Sequence, residues 1–242
     1  MKSAADRVPI IQATGLHTHY GASHILHGID LTVYPGETVS LLGRNGMGKT
    51  TTLRTILGLT PPSKGKVLIY GKDMTAHPTH RIIRQGIAYV PEDREIFPTL
   101  SVYENLIMAA RPGVGGGRDW TLDRVYETFP LIYERRHHMG NQLSGGEQQM
   151  LTFGRALMTN PNLIIMDEAT EGLAPLVRKE IWSVIRTIKE TGIASIIIDK
   201  EIKALLGVAE RNHIISKGSI VYQGGSEELA AQPDIHKRHM GV

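Results

Sequence analysis

Cysteine is missing from all 242 residues, which removes disulfides, thiolate nucleophiles and cysteine-held metals as explanations of fold or function. No uninterrupted apolar run reaches the ~20 residues that a membrane-crossing helix needs, and the first ten residues lack the apolar centre of a secretory signal. Charge of one sign is scarce too. The 27 Lys and Arg against 24 Asp and Glu leave a formal +3, too slight to argue for nucleic acid as a partner. These absences predict a cytosolic globular protein. With 41% hydrophobic and 21% charged residues, the chain can bury a full core as one large domain or two intimate lobes.

What is present begins with punctuation. Residues 8–40 alternate in short apolar and polar runs with turns at Tyr20-Gly21 and Tyr34-Pro35-Gly36, which predicts antiparallel strands. The apolar run 38–42 then predicts a buried strand feeding the segment Gly43-Arg44-Asn45-Gly46-Met47-Gly48-Lys49-Thr50, and 49–57 predicts a helix ended by Gly58 and Pro61-Pro62. Further strands are expected at 67–70 and 87–90. From about 92 to 160 the strand signals stop: Ser101-Val102-Tyr103-Glu104 reads as a capping box opening a helix to 110, and 119–139 reads as helical with a break at Pro130. Strand and helix alternate again at 163–166, 176–191 and 194–199, and 213–216 with 219–222 return to hairpin spacing.

The glycine segment fits G-x-x-x-x-G-K-[ST], in which backbone N–H groups converge on an anion without obstruction from side chains. In that reading Gly43, Arg44, Asn45, Gly46 and Gly48 form the cradle, and Lys49 reaches the outer phosphates of ATP. Thr50 sits on Mg2+, and Thr51 adds a phosphate contact. Leu163-Ile164-Ile165-Met166 then delivers Asp167 and Glu168 to the C-terminal edge of a buried strand, where ligands bind in such sheets. Neighbours on a strand point to opposite faces, so their roles must differ. Asp167 is the candidate metal ligand and Glu168 the candidate general base. The predicted fold class is α/β: a P-loop NTPase core with a mixed sheet, an N-terminal antiparallel β subdomain and an inserted α-helical subdomain. Residues 1–242 are expected to form one domain, with 1–91 and 160–242 as core plus antiparallel sheet and 92–159 as the helical part.

Leu143-Ser144-Gly145-Gly146-Glu147 precedes a helix expected to run to about Met158, and Ser144 with Glu147 has the spacing of a capping box. The same serine and glycines at a helix start also suit an anion. Both readings stand on the residues alone.

The order of glycine loop, helical insertion, Leu-Ser-Gly-Gly-Glu and apolar strand with Asp-Glu resembles the ATP-binding subunits of ABC transporters over nearly the whole chain. The resemblance implies two subunits stacked head to tail, with Ser144, Gly145, Gly146 and Glu147 contacting ATP held by the partner. It implies that Tyr20 stacks on adenine and that Glu92, where most members carry glutamine, senses the γ-phosphate and the magnesium. Val90-Pro91-Glu92-Asp93-Arg94 through Asn105-Leu106, with Thr170-Glu171-Gly172-Leu173-Ala174-Pro175, is similar to the LivF type of branched-chain amino-acid importer subunit. That similarity extends to systems for urea, amides or aromatic acids. Partners implied are a second ABC ATPase subunit (a copy of this chain or a LivG-like one), transmembrane permease subunits and, indirectly, a periplasmic solute-binding protein, with no nucleic acid. The subunit itself would be peripheral on the inner face of the cell membrane.

Lys200 departs from the pattern. It stands ten residues before the acid of Ala209-Glu210, where the family has a switch histidine and LivF-type chains usually glutamine. A lysine supplies charge but cannot orient water through a neutral imidazole, so slower hydrolysis at this chain's own site is expected. Two other readings compete. One is a soluble ATPase of the same superfamily in DNA repair or translation; the other is an ATP-gated switch with little hydrolysis.

Overall fold

The chain's first hairpin joins β1 (Ile11–Tyr20) to β2 (Ser23–Val33) through a turn at Gly21. The computed structural model describes residues 8–75, 77–232 and 235, so both ends of the expected 1–242 domain lie outside the described residues. With β4 (Lys64–Ile69) and the two-residue β5 (Lys72–Asp73), the hairpin makes an antiparallel sheet in the order β2-β1-β4-β5.

The second sheet contains β3 (Thr38–Leu42), β6 (Ile87–Val90), β7 (Leu163–Asp167), β8 (Ala194–Ile198), β9 (Arg211–Ser216) and β10 (Ser219–Gly225). Its order is β10-β9-β3-β8-β7-β6, parallel throughout except for the antiparallel edge strand β10. Every residue of β3, β7 and β8 is buried, as a parallel strand covered on both faces requires.

The helices are α1 (Lys49–Ile56), α2 (Thr79–Ile83), α3 (Val102–Ile107), α4 (Leu122–Thr128), α5 (Pro130–Glu134), α6 (Gly145–Leu157), α7 (Pro175–Glu190), α8 (Ile202–Leu206) and α9 (Ser226–Ala230). Strand β7 shows how they are held. Its Leu163 and Ile165 join Leu53, Ile56 and Leu57 of the α1 region in a core between the two sheets. Its Ile164 and Met166 join Leu106, Phe129, Phe153 and Ile185 in a core on the other face. Each such fully buried side chain contributes roughly 1.5–3 kcal/mol, so one alternating strand anchors both layers.

The expected strands at 38–42 and 87–90 match β3 and β6 to the residue. The region 119–139 is less helical than expected. Thr121 caps α4 by accepting from Arg124 N–H, Phe129 leaves helical geometry at φ −127°, ψ 76°, and Pro130 opens α5 at its first turn. Strand β5 and helices α2, α8 and α9 were not expected at all. Elements this short are marginal on local propensity and form because tertiary packing holds them.

Candidate nucleotide site

Strand β3 ends at Leu42 and α1 begins at Lys49, so the glycine segment is the link between a buried strand and a helix start. Two glycines in it are obligatory. Gly43 has φ +139°, and a Cβ there would lie 2.3 Å from the Ile215 carbonyl oxygen; Gly48 has φ +105°, and its Cβ would lie 2.9 Å from Leu26 Cδ2. The loop thus wraps tightly because strand β9 and the hairpin press on it. Lys49 is 7% exposed and donates from Nζ to the carbonyls of Gly43 (3.0 Å) and Arg44 (3.2 Å). Burial lowers its pKa, with Glu168 and Asp167 opposing.

Asp167 closes β7 with 1% exposure. Thr50 Oγ1 donates to its Oδ1 at 3.0 Å, and Tyr89 OH donates to its Oδ2 at 3.2 Å. Burial raises the Asp167 pKa against the pull of those hydrogen bonds and of Lys49. A buried carboxylate with incomplete compensation, beside a threonine hydroxyl, is a hard oxygen set that fits a magnesium ion.

Glu168 diverges from Asp167 for a different reason than strand alternation. It is the first residue off the strand and sits in the left-handed region at φ 48°, while its N–H donates to the Ile198 carbonyl at 2.8 Å. Such a backbone costs about 1–3 kcal/mol in a residue other than glycine and persists where surrounding structure imposes it. Its Oε1 lies 3.8 Å from Lys49 Nζ and its Oε2 3.5 Å from Lys200 Nζ. Burial first, then the hydrogen bond with Glu171, pushes the Glu168 pKa up to about 7.

Lys200 follows β8 and is brought over by its neighbour. Asp199 is buried and accepts from Thr170 Oγ1 at 2.6 Å, which ties the 168–171 turn to the segment after β8. Lys200 Nζ then donates to Glu171 Oε1 at 2.5 Å. Glu92, Glu168 and Glu171 place carboxylate oxygens within 4.8 Å of one another. The expected metal set of Thr50, Asp167 and Glu92 is therefore divided: Thr50 is bonded to Asp167, whereas Glu92 is grouped with the other two glutamates.

A cleft of about 390 Å³ unites most of the expected residues, with Tyr20, Asn45, Gly46, Gly48, Lys49, Thr50, Thr51, Glu92, Glu168 and Lys200 in its lining. Tyr20 is 44% exposed at the rim, its hydroxyl 3.4 Å from Thr60 Oγ1. Arg44 contributes its carbonyl to Lys49 but does not line the cleft.

Ser144, Gly145, Gly146 and Glu147 lie outside that cleft. Glu147 N–H donates to Ser144 Oγ (3.3 Å) and Ser144 N–H to Glu147 Oε2 (2.7 Å), a complete capping box on α6. Arg135 Nε, just past α5, also donates to Glu147 Oε1 at 2.9 Å, so this carboxylate is engaged both by the cap of its own helix and by a neighbouring one. Gly146 has a packing reason to be glycine: an added Cβ would come 2.7 Å from Val177 Cγ1 on α7.

Three site residues were missed from sequence. Tyr89 is the third residue of β6 and meets Asp167 only through the register of β6 with β7. Glu171 lay inside the quoted Thr170–Pro175 segment, and its spacing of three from Glu168 was an unused signal. Arg94 stacks its guanidinium 3.1 Å from the position of a Gly145 Cβ, and its carbonyl accepts from Thr152 of α6 at 2.8 Å.

Residues 26–171 match the family described as ABC transporter. BraG of Pseudomonas aeruginosa, a high-affinity branched-chain amino acid transport ATP-binding protein, is 34% identical over 93% of this chain and 96% of its own length. LptB of Escherichia coli K12, a lipopolysaccharide export system ATP-binding protein, is 32% identical over 96% of this chain and 97% of its own. A solved nucleotide-free ATP-binding cassette from an ABC transporter superposes with a TM-score of 0.79 at 25% identity, covering 93% of this chain and 95% of that one. A dimeric cassette in a post-hydrolysis state with ADP and Pi gives 0.76 at 25% identity, covering 89% and 98%. On these matches and a glycine loop closed by an acidic strand end, the chain belongs to the ABC transporter family, as an ATP-binding ATPase subunit.

Proposed function

We propose that this chain binds ATP along the Gly43–Thr50 loop and hydrolyses it with Glu168 as general base, powering an importer for branched-chain or other hydrophobic amino acids or a related small solute. The observation that carries the reading is the meeting of the start of α1 with the end of β7: Lys49, Thr50 and Glu168 line one cleft, and Asp167 lies behind it, bonded to Thr50. Tyr20 offers adenine a ring face at the rim, and Lys49 exchanges its loop carbonyls for the outer phosphates. Water oxygen attacks the γ-phosphorus while Glu168 takes a water proton. The bond from phosphorus to the bridging oxygen breaks with its electrons on ADP, leaving ADP and inorganic phosphate. A carboxylate with a pKa of about 7 suits this step at neutral pH. Thr50 and Asp167, with Glu92 at the edge, would hold Mg2+, which supplies charge neutralisation on the phosphates.

Ser144, Gly145 and Gly146, which lie outside this cleft, complete the site of a second subunit, a copy of this chain or a LivG-like partner. Residues 92–159 serve as the helical part that meets the permease. A neighbouring cleft of about 550 Å³, lined by Glu92, Arg94, Glu95 and Arg155, borders both the site and α6 and is the place we assign to permease docking. Arg155 donates to the Glu95 carbonyl at 2.6 Å, which links that surface to the Glu92 loop. Among the described residues no helix is long and apolar enough to cross a membrane. In this reading the permease supplies the span and this subunit sits on the inner face.

Lys200 modifies the scheme. Its charge stabilises the ionised form of Glu168 but leaves the water without an imidazole partner, and we assign it a slowing of hydrolysis at this chain's own site. Replacing Glu168 by Gln tests the main reading. Phosphate release should fall about 10²–10⁴-fold while ATP-dependent dimers accumulate on gel filtration; full turnover by E168Q overturns the base assignment.

A further inference from the structure

Four of the chain's eleven histidines lie between residues 17 and 27, and the hairpin folds them into one array. Along β1, His17 and His19 alternate with buried Leu16 and Thr18, so both imidazoles project from the outer face. The β1–β2 register then sets His17 opposite His27 and His19 opposite His24. His24 is the centre of the group. Its ring centroid lies 4.1 Å from that of His19, 3.9 Å from His27 and 5.2 Å from His17.

An imidazole nitrogen without a proton offers a lone pair to a metal ion. Two ring nitrogens already meet across the hairpin, His17 Nδ1 and His24 Nε2, 3.1 Å apart. Nitrogens bound to one tetrahedral zinc at the usual bond length stand about 3.3 Å apart.

We propose that this hairpin binds a borderline divalent transition-metal ion through His17 Nδ1 and His24 Nε2, with water completing its shell. The ion takes the place of the proton that now joins His17 to His24, and the donor ring shifts to its other tautomer, carrying that proton on its second ring nitrogen. His27 is tilted 50° to His24 and packs against that ring rather than meeting the His17–His24 pair with a nitrogen. His19 is excluded because it stacks within 7° of parallel on His24, so its lone pairs run alongside rather than converge. Its Nδ1 instead lies 3.0 Å from Ser63 Oγ. Imidazole donors select zinc, nickel or copper over magnesium, which separates this site from the oxygen-rich cleft. Occupation ties β1 to β2 beside Tyr20. The site stands on the hairpin alone and does not depend on how the cleft uses ATP.

Titration of the untagged protein with Zn2+ alone, in excess Mg2+ to occupy the carboxylates, provides the test. We expect saturation near one zinc per chain. H17N/H24N should lose about 100-fold or more in affinity, while H19Q keeps the wild-type isotherm. Circular dichroism and basal ATPase of H17N/H24N should match wild type, showing that its fold is intact. Absence of micromolar binding by wild type, or superimposable isotherms for wild type and H17N/H24N, overturns the proposal.

Discussion

Lys200 donates from Nζ to Glu171 Oε1 at 2.5 Å, and the same ammonium stands 3.5 Å from Glu168 Oε2. One cation therefore sits over two neighbouring carboxylates: burial, then the hydrogen bond with Glu171, holds Glu168 high against the pull of Lys49 and Lys200, whereas the bonds to Glu168 and Lys200 hold Glu171 low. The protonation state of the proposed base is set by residues from two different loops.

The pH profile should show this. Glu168 must be ionised to accept a proton, so kcat should rise with pH through about 7. Lysine favours the ionised form, so K200M should move the acid limb to higher pH. Glu171 raises the Glu168 pKa, so E171Q should move the limb lower. Rates measured from pH 5.5 to 9 that show the same limb in all three proteins would refute the coupling.

Hydrolysis should quicken when a neutral imidazole replaces the ammonium. K200H in the assembled complex should turn over ATP about tenfold faster, equivalent to about 1.4 kcal/mol of barrier. An unchanged phosphate-release rate sinks the assignment of Lys200 as a slowing residue.

Gly146 separates packing from binding. G146A drives a Cβ to 2.7 Å from Val177 Cγ1 and should lower stability by about 1–3 kcal/mol in a urea melt. V177A in the same chain should restore most of that loss. If Gly146 also meets ATP across the dimer, ATPase stays depressed in G146A/V177A although the midpoint recovers; full recovery of both would leave Gly146 a packing residue only.

His213 should make stability pH-dependent. It is 1% exposed, and burial, aided by Arg211, lowers its pKa to about 4. Between about 6.5 and 4 the unfolded chain takes up a proton that the folded chain refuses. Stability is thus complete above about 6.5 and falls by roughly 3 kcal/mol as the pH drops toward 4. The buried Asp167 and Asp199, whose pKa values burial raises, act with the opposite sign. H213Q compared with wild type isolates the histidine, and its urea midpoint should depend less steeply on pH across that window.

Much of this was legible from local signals. An apolar run delivering the chain into the glycine loop marked β3, Ser101 and Ser144 announced α3 and α6 by capping chemistry, and the glycine spacing located the phosphate loop. Burial of a strand and satisfaction of helix-end N–H groups are requirements met within a few residues, so they leave a readable pattern.

Tertiary structure decided what lies between elements. Glu168 is aimed by a left-handed backbone that only its neighbours sustain, and Tyr89 reaches Asp167 across 78 residues of sequence through strand register. Lys200 meets Glu171 because Asp199 holds Thr170, and four histidines become one array because β1 pairs with β2 in one particular register. The sequence by itself determined which residue types were available and where the strands and caps would form. Which of them share a site was determined by distance and register, since contacts remote in sequence carry no local signature.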